Sequence, residues 1–205
     1  VLDGQTVTGI ADAITPPLAL FYNKGIISVS LPNTIVNIGD NAFYGNLITG
    51  LNLSGYTSLS SIGHDAFSNN AIASLDLSGC SALISIRESA FASNKITSLD
   101  LSGSPGLKTI NNSAFSYNLI ADLNLTTCTA LTLIGDAAFQ SNKLTTVDLT
   151  KCTSLLKIGG SAFRMNTLTS FALPEITYKG TLFTTWKDGK GNSYTAGTDP
   201  AADML

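Results

Sequence analysis

Acidic and amide side chains recur at a fixed interval along this sequence of 205 residues. Successive members of the series are 24 residues apart, and they are Asn52, Asp76, Asp100, Asn124 and Asp148. Further hydroxyl and acidic side chains stand two residues before members of the series, at Ser74, Ser98, Asp122 and Thr146. Such a row can bind a basic protein surface, a glycan or a divalent cation, or it can be a solvated face without a ligand.

Two of these ligand classes fit the row poorly. If each member lies on a strand of one parallel sheet, strand spacing of about 4.8 Å predicts a row of roughly 20 Å from Asn52 to Asp148. Calcium takes about 6 to 8 converging oxygens, whereas carboxylates on a flat sheet diverge. Sugar sites commonly stack a ring on an aromatic side chain, and the row contains none. A protein ligand is therefore preferred, no metal site is expected, and a glycan remains a disfavoured alternative.

The other reactive residue types do not form a catalytic pattern. His64 is the single histidine and occupies a position that holds Asp, Glu or Asn in other repeats, so we predict a surface role for it. No nucleophile-elbow, Walker or dinucleotide-binding motif is present, and we expect neither an enzyme nor a cofactor. Residues 188–192 lack the spacing and the final Glu of a calcium loop, and we predict a hairpin turn there.

The three cysteines share one repeat position, which holds Tyr56 and Ser104 in other units. At an inward position Cys acts as a small apolar side chain with a weakly hydrogen-bonding sulfur. Cys128 and Cys152 fall in neighbouring units, within reach of a disulfide, and the sequence leaves open whether they are cross-linked. Cys80 is two units away from Cys128 and is expected to be reduced.

The secondary-structure elements that position these residues can be predicted from a phenylalanine that recurs every 24 residues. The series is Phe43, Phe67, Phe91, Phe115, Phe139 and Phe163. A fixed period of this length predicts a solenoid, in which stacked copies bury an apolar face that one copy cannot bury alone. Within a unit, Ile72, Leu75, Leu77, Cys80 and Leu83 have leucine-rich repeat spacing. Seven segments, from 29–31 to 171–173, are thus expected to form one parallel sheet.

The second half of each unit is predicted to be a short helical turn. In one unit, Ile86 and Phe91 lie five residues apart, which suits a turn that places both on the core. The residues preceding the turn can cap its N–H groups, and they are Asp40, Asp65, Glu88, Asn112 and Asp136. We expect a structural asparagine in the left-handed conformation to close it, at Asn46, Asn70, Asn94, Asn118, Asn142 and Asn166.

Composition limits the partners. The formal charge of −3 and the pI near 4.9 argue against nucleic acid, because only 11 Lys and Arg residues are spread over the chain. The sequence contains no run of 18 apolar residues, so no membrane span is predicted. The chain begins at Val1, and we expect a mature or trimmed sequence whose export signal lies outside it.

Three regions are predicted. Residues 1–25 hold a degenerate repeat, with Pro16 and Pro17 interrupting it, and are interpreted as an N-terminal cap. Residues 26–173 are the solenoid, with six units and a partial seventh. Residues 174–205 lose the period and are predicted to be a small β-rich cap or the start of another module.

The repeats resemble the BspA-like leucine-rich repeats of bacterial surface proteins. The resemblance covers about residues 20 to 173 and depends on units such as Ile134-Gly135-Asp136-Ala137-Ala138-Phe139. The C-terminal segment, with F-x-x-W-x-D-x-x-G-N followed by Y-x-A-G-T, resembles the start of a Listeria-Bacteroides-type repeat. The family implies an extracellular or cell-surface location and adhesion to host or matrix proteins, and it supplies no catalytic residues.

These observations predict an α/β solenoid. We expect a right-handed leucine-rich repeat superhelix with a parallel sheet on its concave face and short helical turns on its convex face. The expected function is non-catalytic binding of a protein through the concave row. The alternatives are a structural spacer in a multi-module surface protein and, less favoured, a glycan-binding module.

Overall fold

The computed structural model describes residues 9–10, 21–174, 176–178, 181–183, 185–187 and 193–195, and it describes side chains for residues 21–174. In chain order the strands are β1 (Gly9–Ile10), β2 (Asn37–Ile38), β3 (Gly50–Asn52), β4 (Ser61–Ile62), β5 (Ser74–Asp76), β6 (Ser85–Ile86), β7 (Ser98–Asp100), β8 (Thr109–Ile110), β9 (Asp122–Asn124), β10 (Leu133–Ile134), β11 (Thr146–Asp148), β12 (Lys157–Ile158), β13 (Ser170–Ala172), β14 (Ile176–Tyr178), β15 (Thr181–Phe183), β16 (Thr185–Lys187) and β17 (Ser193–Thr195). The repeats form a parallel β-solenoid, whose coils each contribute two short strands.

The longest sheet is built from the two-residue strands. Seven of them pair in the order β1-β2-β4-β6-β8-β10-β12, and every pairing is parallel. The register places Ile62 beside Ile86 and Ile86 beside Ile110. These isoleucines are fully buried, since one apolar residue per coil points inward from the strand.

The three-residue strands do not form the single sheet that the sequence predicts. They form separate two-stranded parallel pieces, β3–β5, β7–β9 and β11–β13. Each strand lies one residue earlier than the predicted segments, and residues 29–31 are not a strand. The predicted sheet therefore exists only in pieces, and the continuous sheet lies about half a coil further along the chain.

A stack of phenylalanine rings runs through the core. From Phe21 to Phe163 each ring stacks on the next, with centroids 5.1–5.5 Å apart and interplanar angles of 5–8°. At the end of the stack, Phe171 meets Phe163 edge-on. The rings of the period from Phe43 onward are fully buried, so the most regular residue of the sequence builds the scaffold.

The predicted helical turns are wrong: the structure has no helix in the part of the chain that it describes. The segment around Phe67 is a run of tight turns instead. Ala66 and Ser68 donate their N–H groups to carbonyls three residues earlier, whereas Asp65, Phe67 and Asn69 donate to the next coil. Because alternate N–H groups point along the solenoid axis, they cannot make the i to i−4 bonds of a helix.

Two residues around each phenylalanine of the 24-residue period adopt the left-handed conformation, and they are not the asparagines that the sequence predicts. They precede Phe67 by two residues and follow it by two, at Asp65 (φ 52°) and Asn69 (φ 56°). Equivalent positions elsewhere hold residues as large as Tyr117 and Met165. Asn69 directly precedes Asn70, the asparagine that was predicted to be left-handed. Asn70 therefore has a different role, which is described below.

The predicted N-terminal and C-terminal caps, Pro16, Pro17 and the turn at 188–192 lie largely outside the described residues. The part of residues 1–25 that is described packs like a repeat: Tyr22 stacks on Tyr44 with ring centroids 5.0 Å apart. At the other end, β14 pairs with β15 and β16 with β17, both antiparallel. No helix of the described residues is long and apolar enough to cross a membrane.

Candidate functional site

All nine residues of the predicted row lie on the three-residue strands. Asn52, Asp76, Asp100, Asn124 and Asp148 each end a strand, and Ser74, Ser98, Asp122 and Thr146 each begin one. The first and third residues of a strand point to the same side. They are exposed or half-buried, and the residue between them faces the core. We call these nine residues the acidic face.

Each strand-ending side chain of the acidic face makes a local turn. In every case Oδ1 accepts a hydrogen bond from the backbone N–H two residues later, at 2.8–3.1 Å. At Asn124 and Asp148 the hydroxyl of the following threonine also donates to the same oxygen. These bonds hold the side chains in one orientation, and Asn performs this task as well as Asp does.

The strand-ending carboxylates face neutral residues across their own two-stranded pieces. Asp76 pairs in register with Asn52, Asp100 with Asn124, and Asp148 with Ala172. Each acid at a strand end thus has a neutral partner in its own two-stranded piece. Asp76 and Asp100, the predicted closest acidic pair, lie on β5 and β7, which are not paired.

Hydrogen bonding stabilises the charged form of Asp148. The hydroxyl of Thr150, 2.6 Å from Oδ1, and the Thr150 N–H, 2.8 Å away, lower the pKa of this carboxyl, and Lys151 adds a smaller effect. Asp148 is therefore ionised on the face at neutral pH. In residues 21–174, no group of three or more His, Cys, Asp or Glu side chains is arranged to hold a metal ion.

The three cysteines are free thiols in the core, and Cys128 and Cys152 are not cross-linked. The sulfur of Cys80 lies 3.3 Å from the carbonyl oxygen of Leu53. Burial raises the thiol pKa to about 11 for Cys80 and Cys152 and to about 12 for Cys128. At the same repeat position Ser104 donates to the carbonyl of Cys80, and Tyr56 donates to that of Leu31. Cys, Ser and Tyr at this position thus each contact a carbonyl group of an earlier coil.

A second polar site, which the sequence analysis missed, follows the two-residue strands β4, β6 and β8. A pocket of about 260 Å³ is lined by His64, Arg87, Glu88, Asn111 and Asn112. We call it the polar pocket. The Nη1 atom of Arg87 lies 2.6 Å from Oδ1 of Asp40, two coils earlier. The intervening coil carries Gly63 at the position of Arg87.

His64 belongs to the wall of this pocket. Its Nδ1 atom lies 3.0 Å from the carbonyl oxygen of Glu88, and its Nε2 atom lies 3.5 Å from Oδ2 of Asp65. Partial burial raises the pKa of Asp65, and the neighbouring His64 offsets part of that effect. The predicted surface role of His64 agrees with its side-chain exposure of 42%.

A ladder of side-chain oxygens runs along this edge of the solenoid and is interrupted at the pocket. Oδ1 of Asp40 accepts a hydrogen bond from the backbone N–H of His64. In the same way, Oδ1 of Asn112 accepts from the N–H of Asp136, and Oδ1 of Asp136 accepts from the N–H of Gly160. His64 and Glu88 occupy the two intermediate positions and do not continue the ladder. The backbone N–H groups of Glu88 and Asn112 consequently have no acceptor among the described residues.

The pocket coincides with two departures from a glycine requirement. A Cβ atom on Gly63, Gly135 or Gly159 would lie 2.3–2.5 Å from backbone atoms of the preceding coil. Arg87 and Asn111 occupy the equivalent positions and do carry a Cβ atom. The departure from Ile-Gly-Asp in these two units was visible in the sequence and could have identified the site.

Comparison with known proteins agrees with the repeat architecture. The profile of the "BspA type Leucine rich repeat region" matches residues 17–132 and 105–183, with six copies. No curated protein is similar enough to count as a relative.

The solenoid is also similar to a solved structure described as a leucine rich cell surface protein from Faecalibacterium prausnitzii A2-165. The TM-score is 0.56 at 19% sequence identity, and the alignment covers 94% of this chain and 50% of that one. This likeness concerns the fold alone, and the present chain spans half the length of that protein. Because the repeat profile covers most of the solenoid, whose coils the structure shows directly, the chain belongs to the BspA-type leucine-rich repeat family.

Proposed function

We propose that this chain is a non-catalytic binding module on the bacterial surface, and that its acidic face contacts a protein of host or matrix origin. Membership of the BspA-type family and the cell-surface description of the structural neighbour support the location. Leucine-rich repeat domains generally mediate protein interactions, which supports the class of partner. The observation that carries the proposal is the row of locally fixed, outward-facing carboxylates.

Fixed carboxylates suit a basic partner surface. At Asp76, Asp100 and Asp148, Oδ1 is held by the turn, whereas Oδ2 has no donor among the described residues. Lys or Arg side chains of a partner can bind those oxygens without first breaking a bond within the chain. Since the turns already restrict the side chains, less conformational entropy is lost on binding. Complementary charge also steers association and makes it sensitive to salt.

The test compares matched charge changes on and off the face. The chain carrying Asp76→Asn and Asp100→Asn is measured against immobilised matrix proteins such as fibronectin, fibrinogen and collagen. Asn already makes the same turn at Asn52 and Asn124, so this variant should remove charge and leave the fold intact. The control carries Asp65→Asn and Asp136→Asn, which also removes two charges but away from the face. Asn41 already occupies the repeat position of Asp65.

We expect the face variant to weaken binding at least tenfold and to reduce its salt dependence, while the control binds like the unaltered chain. Equal binding by the unaltered chain, the face variant and the control variant would contradict the proposal for the acidic face. Absence of binding to every basic or matrix protein would favour the structural spacer instead. That alternative agrees with a face whose Oδ1 atoms are all engaged in local turns.

The proposal extends to the organisation of the chain. We propose that residues 26–173 form the binding solenoid, that residues 1–25 cap it, and that residues 174–205 cap it or begin a following module. Limited proteolysis with mass spectrometry tests these bounds. Cleavage concentrated within the solenoid, rather than near 25 and 174, would contradict them.

A further inference from the structure

We propose that the polar pocket binds a neutral, polyhydroxylated unit, namely a single saccharide residue. The inference goes beyond the protein-binding role of the acidic face and concerns different residues, half a coil away along the chain. It starts from the interrupted ladder. In complete coils a side-chain oxygen occupies the place beside the next coil's N–H, and at Glu88 and Asn112 that place is open to a ligand.

The two open donors require acceptor oxygens about one coil apart. Adjacent coils are separated by about 4.8 Å, the spacing of neighbouring strands. The ladder bonds on either side join an oxygen and a nitrogen at 2.6–2.9 Å, so each open N–H can bind an oxygen at similar range. Hydroxyl groups on one sugar ring can supply two such oxygens without carrying charge.

The pocket also presents acceptors, which need donors from the ligand. The Glu88 carboxylate is exposed and makes no hydrogen bond to the described residues. Asn111 donates through Nδ2 to Ile86 and Thr109, which leaves its Oδ1 atom available. A hydroxyl group donates and accepts at once, and it therefore matches this mixture of open N–H groups and open oxygens.

Charge argues against the simpler ligands. A cation would meet the guanidinium of Arg87, and an anion would meet Glu88, Asp65 and Asp40 around the same space. A neutral polyol avoids both conflicts. The volume of about 260 Å³ lies just below the ~300–1,000 Å³ typical of sites for drug-sized ligands, which suits one sugar unit. Because no Phe, Tyr or Trp is among the described residues that line the pocket, hydrogen bonds would supply most of the affinity, and we expect it to be in the millimolar range.

The test uses the full chain labelled with ¹⁵N and follows its backbone amides by NMR. The neutral probes are the methyl glycosides of glucose, galactose and mannose, together with N-acetylglucosamine. Acetate and methylammonium serve as charged probes that mimic acidic and basic side chains. We expect saturable shifts of the Glu88 and Asn112 amides with at least one sugar, and smaller shifts with either ion. The amides of Asp136 and Gly160, which have ladder partners and do not line the pocket, are the internal controls.

A ladder-restoring variant provides the matched comparison. The variant carries His64→Asp and Glu88→Asp. Aspartate already occupies this repeat position at Asp40 and Asp136, where it accepts the ladder bond, so the variant should fold. Its own carboxylates then fill the places offered to the ligand, and sugar binding should weaken at least tenfold. Glu88→Ala, a change at an exposed residue, should weaken it several-fold and serves as the second variant.

The proposal is overturned if no sugar gives saturable shifts at these amides, if acetate or methylammonium gives the larger ones, or if the restored ladder leaves sugar binding unchanged. Failure here is separable from failure of the proposed function, because the acidic-face variant retains the pocket and is measured against protein ligands.

Discussion

The Nδ2 atom of Asn94 lies 2.9 Å from the carbonyl oxygen of Phe67, one coil earlier in the solenoid. The same nitrogen donates to the carbonyl of Phe91 at 3.2 Å, and the Oδ1 atom accepts the N–H of Ile72 at 3.0 Å. One buried side chain thus bonds to four backbone groups in two coils. The same bond to the previous coil recurs at 2.9 Å for Asn70, Asn118, Asn142 and Asn166. We call this set, with Asn46, the asparagine ladder.

Replacing Asn94→Ala should therefore be destabilising. The change leaves the buried N–H group of Ile72 without an acceptor, which costs about 1–3 kcal/mol. The carbonyl groups of Phe67 and Phe91 lose one donor each but keep a donor from a neighbouring member of the asparagine ladder. We expect the free energy of unfolding, measured by urea denaturation, to fall by about 2 kcal/mol or more. Asn112→Ala is the control, because Asn112 is exposed and accepts a single ladder bond; its loss should be about 1 kcal/mol or less. Equal losses for both would contradict a special role for the asparagine ladder.

Gly135→Ala tests the close approach of neighbouring coils. A Cβ atom at Gly135 would lie 2.5 Å from the backbone nitrogen of Asn112, so the coils must separate to admit it. Overpacking of this kind costs about 1–3 kcal/mol. Gly160→Ala is the matched control, since a Cβ atom there meets no atom within 4 Å. We expect the control to change the free energy of unfolding by no more than about 0.5 kcal/mol. A destabilisation of similar size in both variants would rule out coil contact as the reason for the glycine.

The sequence was sufficient to predict the scaffold where burial decides the structure. The spacing of Phe67 and Phe91 predicted stacked units, and the rings do stack at 5.4 Å. The asparagines were predicted to be structural, and Asn94 is, although by bonding between coils and not by closing a helix. Periodic apolar residues report the core directly, because repeated copies must bury the same face.

The predictions that were wrong or missing concern features that depend on the neighbouring coil. The spacing of Ile86 and Phe91 suits a helical turn and a pair of tight turns equally well, and the choice is made by N–H groups that bond to the next coil. Whether β5 pairs with β7 is likewise decided by how coils stack. Predicting the polar pocket required knowing that Gly63, Gly135 and Gly159 face the backbone of the preceding coil, which no single unit shows.

The cysteines should make stability fall at alkaline pH. Burial raises the pKa of Cys128 from 9.0 to about 12, so the folded state favours the protonated thiol. Stability from this source is complete below pH 9, the ordinary thiol value, and is lost as pH rises towards the folded value. The urea midpoint should fall between pH 9 and pH 11 more steeply than in a variant with Cys80→Ser, Cys128→Ser and Cys152→Ser. Ser104 shows that a hydroxyl fits the position. Identical profiles would contradict the prediction, as would rapid reaction of the native thiols with Ellman's reagent at pH 8.

Thr150→Val should change the acid side of the stability profile through Asp148. Removing the hydroxyl that lies 2.6 Å from Oδ1 should raise the pKa of Asp148 towards its ordinary value of 3.8, which ¹³C NMR titration of the carboxyl measures. A lowered folded pKa contributes stability above the ordinary value, and this contribution is lost as pH falls through the folded one. The variant should thus be less stable than the unaltered chain at pH 7, and the difference should shrink below about pH 4. Thr126→Val removes an equivalent bond, 2.8 Å long, to the amide oxygen of Asn124, which does not titrate. Its effect should not depend on pH in this range, and a similar pH dependence in both variants would show that Asp148 is not the responsible group.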